Sequence, residues 1–321
     1  MPNLEQACIV KEEAPLDEAM GNLRILISLT TNDNDYQVEQ ANAAELAAQK
    51  HGIDLKIIYS DNDAINQSTQ ILKVIQEAEE ADRPNAIIFE PVGGTALPQV
   101  ARAAVNQGIA WVVLNREATY VPELRGLGKT PVFIVTVDHV EIGRIQAQQC
   151  AALLPRGGSV LYMQGPSENS AAKDRFKGLL EKKPANLHLI NLKGQWTEES
   201  AQRAVRSWLK LTTTRKTVID LVAAQDDAMA IGIRKAFQEV PNEVERERWL
   251  SVPFLGIDGL PKTGQAWLRS GLLRATIFSP PNTGQAIDML VDALQHGKNQ
   301  PEKALTIPVS MPALEALRAQ K

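Results

Sequence analysis

The sequence predicts an α/β protein made of two lobes, each a doubly wound parallel sheet with helices on both faces. Short apolar runs rich in β-branched residues alternate with helical patterns along most of the 321 residues, which is typical of parallel sheets. Ten such runs exceed what one sheet would hold in a chain long enough for two lobes. The runs span 24–29, 55–59, 85–89, 110–114, 132–137, 159–163, 187–192, 218–222, 254–257 and 273–278.

The helical patterns between these runs have recognisable ends. The first stops at His51-Gly52, a glycine stop at the C-terminal end. Asp138 and Glu141 are spaced as a capping box that opens another helix. The break between the two lobes is expected near residues 129–138. Helices are predicted over 36–50, 66–81, 95–107, 138–154, 229–237 and a stretch that opens at Thr197.

Composition excludes several classes of function. The net charge is −4 and no run of five or more Lys or Arg residues occurs, so the chain lacks the basic surface of a nucleic-acid-binding protein. No apolar run reaches the roughly 20 residues of a membrane span. The four histidines are scattered without metal-ligand spacing. We therefore expect no metal, no cofactor and no nucleic acid.

The first 22 residues are polar and are expected to form a mobile lead-in. They contain neither the basic and apolar regions of a signal peptide nor an apolar segment before Cys8 that would mark a lipoprotein. A chain that starts at Met1 would therefore stay in the cytoplasm. This expectation does not hold for a chain whose start lies upstream of Met1. A disulfide between Cys8 and Cys150 is possible, but Cys150 is expected to be a buried apolar residue of a helix.

Familiar catalytic motifs are missing or misplaced. The sequence has no G-x-x-x-x-G-K-[ST] phosphate loop, no G-x-G-x-x-G after the first strand and no G-x-S-x-G elbow. The strings S-D-N at 60–62, S-x-x-K at 170–173 and K-T-G at 262–264 resemble the β-lactamase set. The first two occur in reverse order, and K-T-G opens a helix, so we reject that interpretation.

Polar residues at strand ends are the informative feature. The strand over 218–222 is followed at once by Gln225, Asp226 and Asp227, and then by a helix. Ligands bind outside the carboxyl ends of strands in open α/β sheets, so these side chains should converge on a small polar ligand. Similar residues follow other strands: Asn32, Asp33, Asn34, Asp35, Tyr36, Glu90, Asn115, Arg116, Gln164, Gly165, Lys173, Asp174, Arg175, Trp196, Asp258 and Ser279.

Each of these residues also has a purely structural interpretation. Asp and Asn before a helix commonly cap it, the arginines could form surface ion pairs, and Tyr36 and Trp196 could belong to the core. Their number favours a site. Carboxylates and Asn accept from hydroxyls and Arg donates in a fork, which suits a neutral polyhydroxylated ligand. Asp226 and Asp227 could instead be the acid and base of a glycosidase, although adjacent side chains point in different directions.

At these residues the chain resembles the type I periplasmic sugar-binding proteins, above all their ribose-binding branch, and the effector domain of LacI-type repressors. The resemblance runs from about Leu23 to about Pro308. It rests on four segments that occur in the family's order: GPSENSAAKDRFKGL (165–179), AAQDDAMAIGIRKAF (223–237), FLGIDG (254–259) and GLLRATIFSPPNTGQ (271–285).

The resemblance implies two lobes joined by three crossovers, with ligand in the cleft between them. It implies one lobe over 23–137 with 280–307, a second over 138–279 with 308–321, and hinge segments near 137–138, 279–280 and 307–308. The ligand-binding residues implied or expected are Asn34, Tyr36, Gln37, Glu90, Asn115, Arg116, Arg175, Trp196, Asp226, Asp258 and Ser279. Catalytic residues are not expected.

Departures from the family pattern alter the expected ligand. Glu90 stands where the ribose branch has asparagine, Asn115 replaces an aspartate and Asp226 replaces an asparagine, while Gln37 and Ser279 replace an aromatic and a glutamine. The reshuffled acceptors suggest a sugar or polyol other than ribose and leave room for a ligand amine. We expect the protein to be a monomer. Two roles stay open for it. It could be the receptor of an ABC-type importer that delivers ligand to a permease, or a sensory ligand-binding protein without transport.

Overall fold

The computed structural model describes residues 23–319, apart from 78, 80–81, 93–95 and 215–216. The expected lead-in over residues 1–22, including Cys8 and its pairing with Cys150, lies outside the described residues. Cys150 is a buried free cysteine, and burial raises the pKa of its thiol. No helix in the described part is long and apolar enough to cross a membrane.

Strands and helices alternate along the described chain, as predicted. The first half contains β1 (Arg24–Leu29), α1 (Asp35–His51), β2 (Asp54–Tyr59), α2 (Ala64–Glu77), β3 (Ala86–Phe89), α3 (Pro98–Asn106), β4 (Ala110–Leu114), α4 (Val121–Gly126), β5 (Val132–Val137) and α5 (His139–Leu153). The second half contains β6 (Gly158–Gln164), α6 (Ser170–Lys182), β7 (Leu187–Lys193), α7 (Glu198–Leu209), β8 (Leu221–Ala224), α8 (Asp227–Gln238), α9 (Glu243–Leu250), β9 (Phe254–Leu255), α10 (Gly264–Arg269), β10 (Thr276–Phe278), α11 (Thr283–His296), β11 (Lys303–Thr306), β12 (Val309–Met311) and α12 (Leu314–Ala319).

The first sheet is fully parallel and has the strand order β11-β5-β4-β3-β1-β2. Its central strands β3, β4 and β5 are buried along their whole length, which is why they read as continuous apolar runs in the sequence. Separate apolar clusters cover its two faces. Ala44 of α1 and Leu290 of α11 belong to one cluster, whereas Ile71 of α2 and Val105 of α3 belong to the other.

The second sheet is also parallel, with the order β7-β6-β8-β9. Isolated bridges from Leu255 to Ala275 and from Asp258 to Phe278 extend it toward β10, which pairs antiparallel with β12. Apolar clusters again cover both faces, with Phe237 in one and Leu317 in the other. The structure therefore confirms an α/β fold with two parallel sheets.

The chain passes between the two sheets three times. It crosses from β5 to α5, from β10 to α11, and from β11 to β12. The last two elements return to the second sheet, where β12 pairs with β10 and α12 packs on α5. The crossings lie where the resemblance implied hinge segments, and they bring the carboxyl ends of both sheets to one cleft.

Several predicted element boundaries were wrong. The strand predicted over 218–222 is β8, which begins at Leu221, because Val218 is 64 % exposed and Leu221 is the first residue to pair with β6. The runs 254–257 and 273–278 form only the short strands β9 and β10. The two runs are joined by isolated bridges, from Leu255 to Ala275 and from Asp258 to Phe278, and not by a continuous ladder. The strands β11 and β12 were missed because both are short and largely exposed.

Candidate functional site

A cavity of about 380 Å³ lies where the carboxyl ends of the two sheets face each other. Both sheets contribute lining residues, as the strand-end argument predicted. Of the eleven residues predicted from the sequence, ten line the cavity: Asn34, Tyr36, Gln37, Glu90, Asn115, Arg116, Arg175, Trp196, Asp226 and Asp258. We call Tyr36, Gln37, Glu90, Asn115 and Arg116 the N-terminal wall, and His139, Arg175, Trp196, Asp226 and Asp258 the C-terminal wall.

Glu90 is the centre of the N-terminal wall. It follows β3 directly and is 3 % exposed. Its Oε2 accepts from Gln37 Nε2 at 3.0 Å and from Asn115 Nδ2 at 3.2 Å, and its Oε1 lies 3.4 Å from a terminal nitrogen of Arg116. The carboxylate is therefore neutralised and held by three side chains from two segments, α1 and the loop after β4, in agreement with the rule that buried charges are paired.

A second layer of hydrogen bonds fixes Asn115 and Tyr36. The side chain of Asn282 donates to Asn115 Oδ1 at 2.7 Å and is itself held by Gln40. The Tyr36 hydroxyl donates to the Pro280 carbonyl and accepts from Asn115 Nδ2. Burial, together with the nearby Glu90 carboxylate, raises the pKa of Tyr36, so the phenol stays neutral. The N-terminal wall is thus a connected network rather than a set of independent side chains.

The C-terminal wall is organised around Arg175 of α6. Its guanidinium donates to the Gln225 carbonyl and, through Nε, to His139 Nδ1 at 3.3 Å. A terminal nitrogen lies 3.7 Å from Asp258 Oδ1. Two glycines permit this placement, because a Cβ at Gly143 of α5 would overlap the carbonyl oxygen of Arg175, and a Cβ at Gly178 would overlap that of Val140.

The two acids of the C-terminal wall are held less completely. Asp226 caps α8 by accepting from the Met229 amide at 2.5 Å and is 4 % exposed. Burial raises its pKa to about 6. Burial also raises the pKa of Asp258 well above its ordinary range, although Arg175 opposes the shift. Both carboxyls therefore lie in surroundings that penalise their charge.

Asp227 does not belong to the cavity. Its carboxyl group accepts from Thr276 Oγ1 at 2.7 Å and from the Gly259 amide at 2.8 Å, so it ties α8 to the residues around β9 and β10. Burial raises its pKa to about 8. The glycosidase alternative required Asp226 and Asp227 to face one substrate, and this geometry removes its basis.

Four lining residues adopt the left-handed backbone region that favours glycine. Asn62, Asn115, Trp196 and Asp258 have φ angles of 58°, 54°, 62° and 105°. Asn and Asp tolerate this region, but a tryptophan rarely occupies it. The ring of Trp196 lies 5.5 Å from the Arg175 guanidinium carbon, in cation–π geometry. Such strain is commonly retained at binding sites, and here it aims side chains into the cavity.

Two predicted residues behave differently from expectation. Ser279 does not line the cavity: it is 1 % exposed, and its backbone amide bonds to the Asp258 carbonyl. The bridge between Asp258 and Phe278 sets the path of this segment, and a role of Ser279 in ligand binding stays a prediction. Asn34 lines the cavity but also caps α1, since its Oδ1 accepts from the amides of Tyr36 and Gln37.

Sequence reasoning missed several lining residues. His139 is the first residue of α5 and lines the cavity although it is 8 % exposed. Burial and the adjacent Arg175 hold its pKa well below the usual range, so it is neutral. Its position two residues after β5 was the available signal. The other lining residues outside the eleven predicted ligand-binding residues are Thr30, Thr31, Asp33, Asn62, Val92, Pro166, Glu168, Asn169, Ala171, Gln195 and Thr197.

Within the described residues, no cluster of three or more His, Cys, Asp or Glu side chains could hold a metal ion. The polar groups of the cavity are instead carboxylates, carboxamides and guanidiniums, flanked by Tyr36 and Trp196. These side chains can donate and accept many hydrogen bonds with a small polar molecule, and the two aromatic rings can cover an apolar face of that molecule.

The fold and the cleft define a two-lobe solute-binding protein. The family model for the periplasmic binding protein domain matches residues 25–299. The chain therefore belongs to the periplasmic binding protein family, and within it to the type I sugar-binding proteins related to ribose-binding protein.

Curated relatives and solved structures agree with this assignment. A xylitol-binding protein of Mycolicibacterium smegmatis is 28 % identical over 90 % of this chain and 76 % of its own length. A ribose import binding protein of Bacillus subtilis is 23 % identical over 89 % of this chain and 85 % of its own. The fold also matches an ABC transporter solute-binding protein of Actinobacillus succinogenes with bound D-allose. The TM-score is 0.77, with 21 % identity over 93 % of this chain and all of the other.

Proposed function

We propose that the protein binds a small sugar or polyol in the cleft and serves as the solute-binding component of an ABC-type importer. One observation carries the proposal: the cavity of about 380 Å³ is lined from both sheets by carboxylates, carboxamides and guanidiniums. This volume lies at the lower end of the roughly 300–1,000 Å³ of small-molecule sites. The names of the xylitol- and ribose-binding relatives support the same ligand class.

Each wall has a distinct part in this proposal. Gln37, Glu90 and Asn115 hold each other in place and would meet ligand hydroxyls without rearrangement. Arg175, Asp226 and Asp258 would meet the opposite side of the ligand. Trp196 and Tyr36 offer apolar ring surface for the C–H groups of a sugar.

We propose that ligand binding closes the two lobes about the three crossing segments. In this proposal one lobe comprises 23–137 with 280–307 and the other 138–279 with 308–321. Closure would remove water from the hydrogen bonds between ligand and carboxylates and so increase the closed population. Micromolar affinity needs about −8 kcal/mol. A few charge-assisted hydrogen bonds of about 1.5–3 kcal/mol each would suffice after ordering costs.

A thermal-shift and calorimetry screen against pentoses, hexoses and polyols tests the binding function. Protein refolded from denaturant should be used, so that no ligand is carried over. A ligand at 100 times its Kd adds about 2.7 kcal/mol, which corresponds to a rise in Tm of roughly 5 °C. The absence of any shift across all three compound classes would contradict sugar binding.

Uptake measurements test the transport role separately. Deleting the gene should abolish high-affinity uptake of the radiolabelled ligand found in the screen. Normal uptake in the deletion strain, with loss of a transcriptional response to the ligand, would instead identify a sensory protein.

A further inference from the structure

The acidic side chains of the cavity outnumber its guanidiniums. Three carboxyl groups, those of Glu90, Asp226 and Asp258, face two guanidiniums, those of Arg116 and Arg175. Arg116 is paired with Glu90, whose other oxygen is held by neutral amides. Arg175 is therefore the one guanidinium left for the two aspartates, and the ion pair it forms is with Asp258.

Asp226 is the carboxylate without a partner. The three nitrogens of Arg175 face His139, the Gln225 carbonyl and Asp258. Asp226 accepts one hydrogen bond, from the Met229 amide, and among the described residues no basic side chain lies within 4.0 Å of it. A buried carboxylate held by one amide is costly, because desolvation is not repaid by a counter-charge.

The protein itself supplies no further cation to this site. The remaining basic lining residue in the described part is His139, which is neutral because burial and Arg175 lower its pKa. No lysine of the described residues lines the cavity. At the rim, the exposed side chains of Asp33 and Glu168 add further negative charge, which would attract a cationic ligand toward the cleft.

We propose that the ligand carries a protonated amine that pairs with Asp226, and hence that it is an amino sugar or an amino-polyol. This inference rests on the proposed function, since it specifies the ligand class of the same cleft. An ammonium group would neutralise the uncompensated charge and donate a charge-assisted hydrogen bond, which a hydroxyl cannot match. An ammonium beside Asp226 would also favour its ionised form, against the burial that raises the pKa of this carboxyl to about 6.

Calorimetry with matched ligand pairs tests this inference. Glucosamine and galactosamine are compared with glucose and galactose, and an aminodeoxyinositol with its inositol parent; the N-acetyl derivatives provide neutral counterparts. In at least one pair the amine should bind about tenfold more tightly than its hydroxyl parent, the gain expected from a charged over a neutral hydrogen bond. N-acetylation should remove the advantage.

The Asp226→Asn variant locates the effect. Asparagine is as good a helix cap as aspartate, so the variant should fold and keep the Met229 contact. Its preference for the amine should fall about tenfold. Asp63→Asn is the matched control, because Asp63 is an exposed aspartate that accepts from the amides of Ile65 and Asn66 at the start of α2 and does not line the cavity; it should keep the preference within about twofold.

The possible outcomes separate this inference from the proposed function. If neutral parents bind as tightly as the amines in every pair, the inference is overturned while sugar binding stands. If Asp226→Asn keeps the amine preference, the assignment to Asp226 is wrong. If neither neutral nor amino compounds bind to refolded protein, the proposed function fails and takes this inference with it.

Discussion

The two walls of the cleft differ in how completely their polar groups are held. In the N-terminal wall the carboxylate of Glu90 contacts Gln37, Asn115 and Arg116, and a second layer through Asn282 holds Asn115. The carboxylate and the two carboxamides there have partners before any ligand arrives, whereas Arg116 Nε has none in the described part of the chain. A ligand that binds this wall therefore meets a surface that is already organised, which lowers the cost of association.

The C-terminal wall has fewer donors than its charges require. Arg175 forms an ion pair with Asp258 and uses its two other nitrogens on Gln225 and His139, so none is left for Asp226. The contrast teaches that the walls have separable roles: one provides a fixed template, and the other provides unsatisfied charge that only a suitable ligand compensates. We expect ligand selectivity to depend mainly on the C-terminal wall.

The largest expected effect tests whether the N-terminal wall is a template held by Glu90. Replacing Glu90 with Gln removes the charge that pairs with the buried Arg116. Breaking one partner of a buried pair costs about 3–5 kcal/mol, so the free energy of unfolding should fall by about that amount in urea denaturation. By contrast, Asp226→Asn should change it by less than about 1 kcal/mol, because Asn still caps α8.

Equal losses in these two variants would contradict the distinction between the walls. A small loss for Glu90→Gln would show that the amides of Gln37 and Asn115 hold the wall without a charge. Both variants preserve side-chain volume, so changes in packing do not confuse the comparison.

Next in size is the effect of removing the central cation of the C-terminal wall. Arg175→Ala leaves two carboxylates without a counter-charge and removes a donor that faces the cavity. Truncating one partner of a buried charge pair costs about 2–5 kcal/mol, so affinity measured by calorimetry should fall at least about thirtyfold. Arg144→Ala is the control, because Arg144 pairs with the half-exposed Glu141 and Glu181 away from the cavity.

Retained affinity in Arg175→Ala, with Tm within a few degrees of the parent, would place the ligand contacts elsewhere. Loss of affinity in Arg144→Ala would indicate that the disturbance acts through packing between α5 and α6. Only a selective loss in the first variant supports the proposed role of the C-terminal wall.

The pH dependence of stability is expected to arise from acids in and behind the C-terminal wall. Asp227 has a pKa of about 8 in the folded protein, against about 3.9 when unfolded. Between these values the folded state keeps a proton that the unfolded chain releases, so stability falls as pH rises. Asp258, whose pKa is also raised, acts in the same direction. The slope from Asp227 is at most about 1.4 kcal/mol per pH unit.

Measurement between pH 6.5 and 8 isolates this contribution. Below about pH 6.5 the buried neutral His139 has the opposite effect, because the unfolded chain binds a proton there that the folded state does not. Urea denaturation at four pH values in this window should show falling stability, and Asp227→Asn should flatten the slope. A flat profile for the unmodified protein would contradict the raised pKa of Asp227.

The sequence predicted which positions face the cleft better than it predicted how they interact. Strand-end positions such as Glu90 and Asn115 were accessible, because carboxyl ends of parallel strands share one edge of a sheet. The contact between Glu90 and Gln37 was not, since it depends on the order of three strands and on the rotation of α1. His139 was missed because it appeared in the sequence only as an ordinary first residue of a helix.

Ser279 illustrates the same point. It was predicted to bind ligand from its position after an apolar run, but a single bridge from Asp258 to Phe278 sets the path of that segment, and Ser279 is not among the lining residues. Local pattern indicates that a strand ends, whereas the pairing of distant segments decides which side chain then faces the ligand. Predictions from pattern alone are therefore stronger for the N-terminal wall, where consecutive strands of one sheet supply the residues.

The smallest expected effect concerns the aromatic side chain of the C-terminal wall. A Cβ at Gly165 would overlap the ring of Trp196, so Gly165→Ala should displace the ring. Overpacking a side chain costs about 1–3 kcal/mol of stability. Trp196 is only half-buried and its ring can shift, so we expect the variant to lose only about 1 kcal/mol of binding free energy. Gly126→Ala is the matched control, since a Cβ there meets nothing within 4 Å.

A roughly fivefold loss of affinity in Gly165→Ala alone, with Trp196 fluorescence shifted, would show that the ring position contributes to binding. Unchanged affinity despite a displaced ring would remove Trp196 from the binding surface and leave the charged residues as the whole of the C-terminal wall.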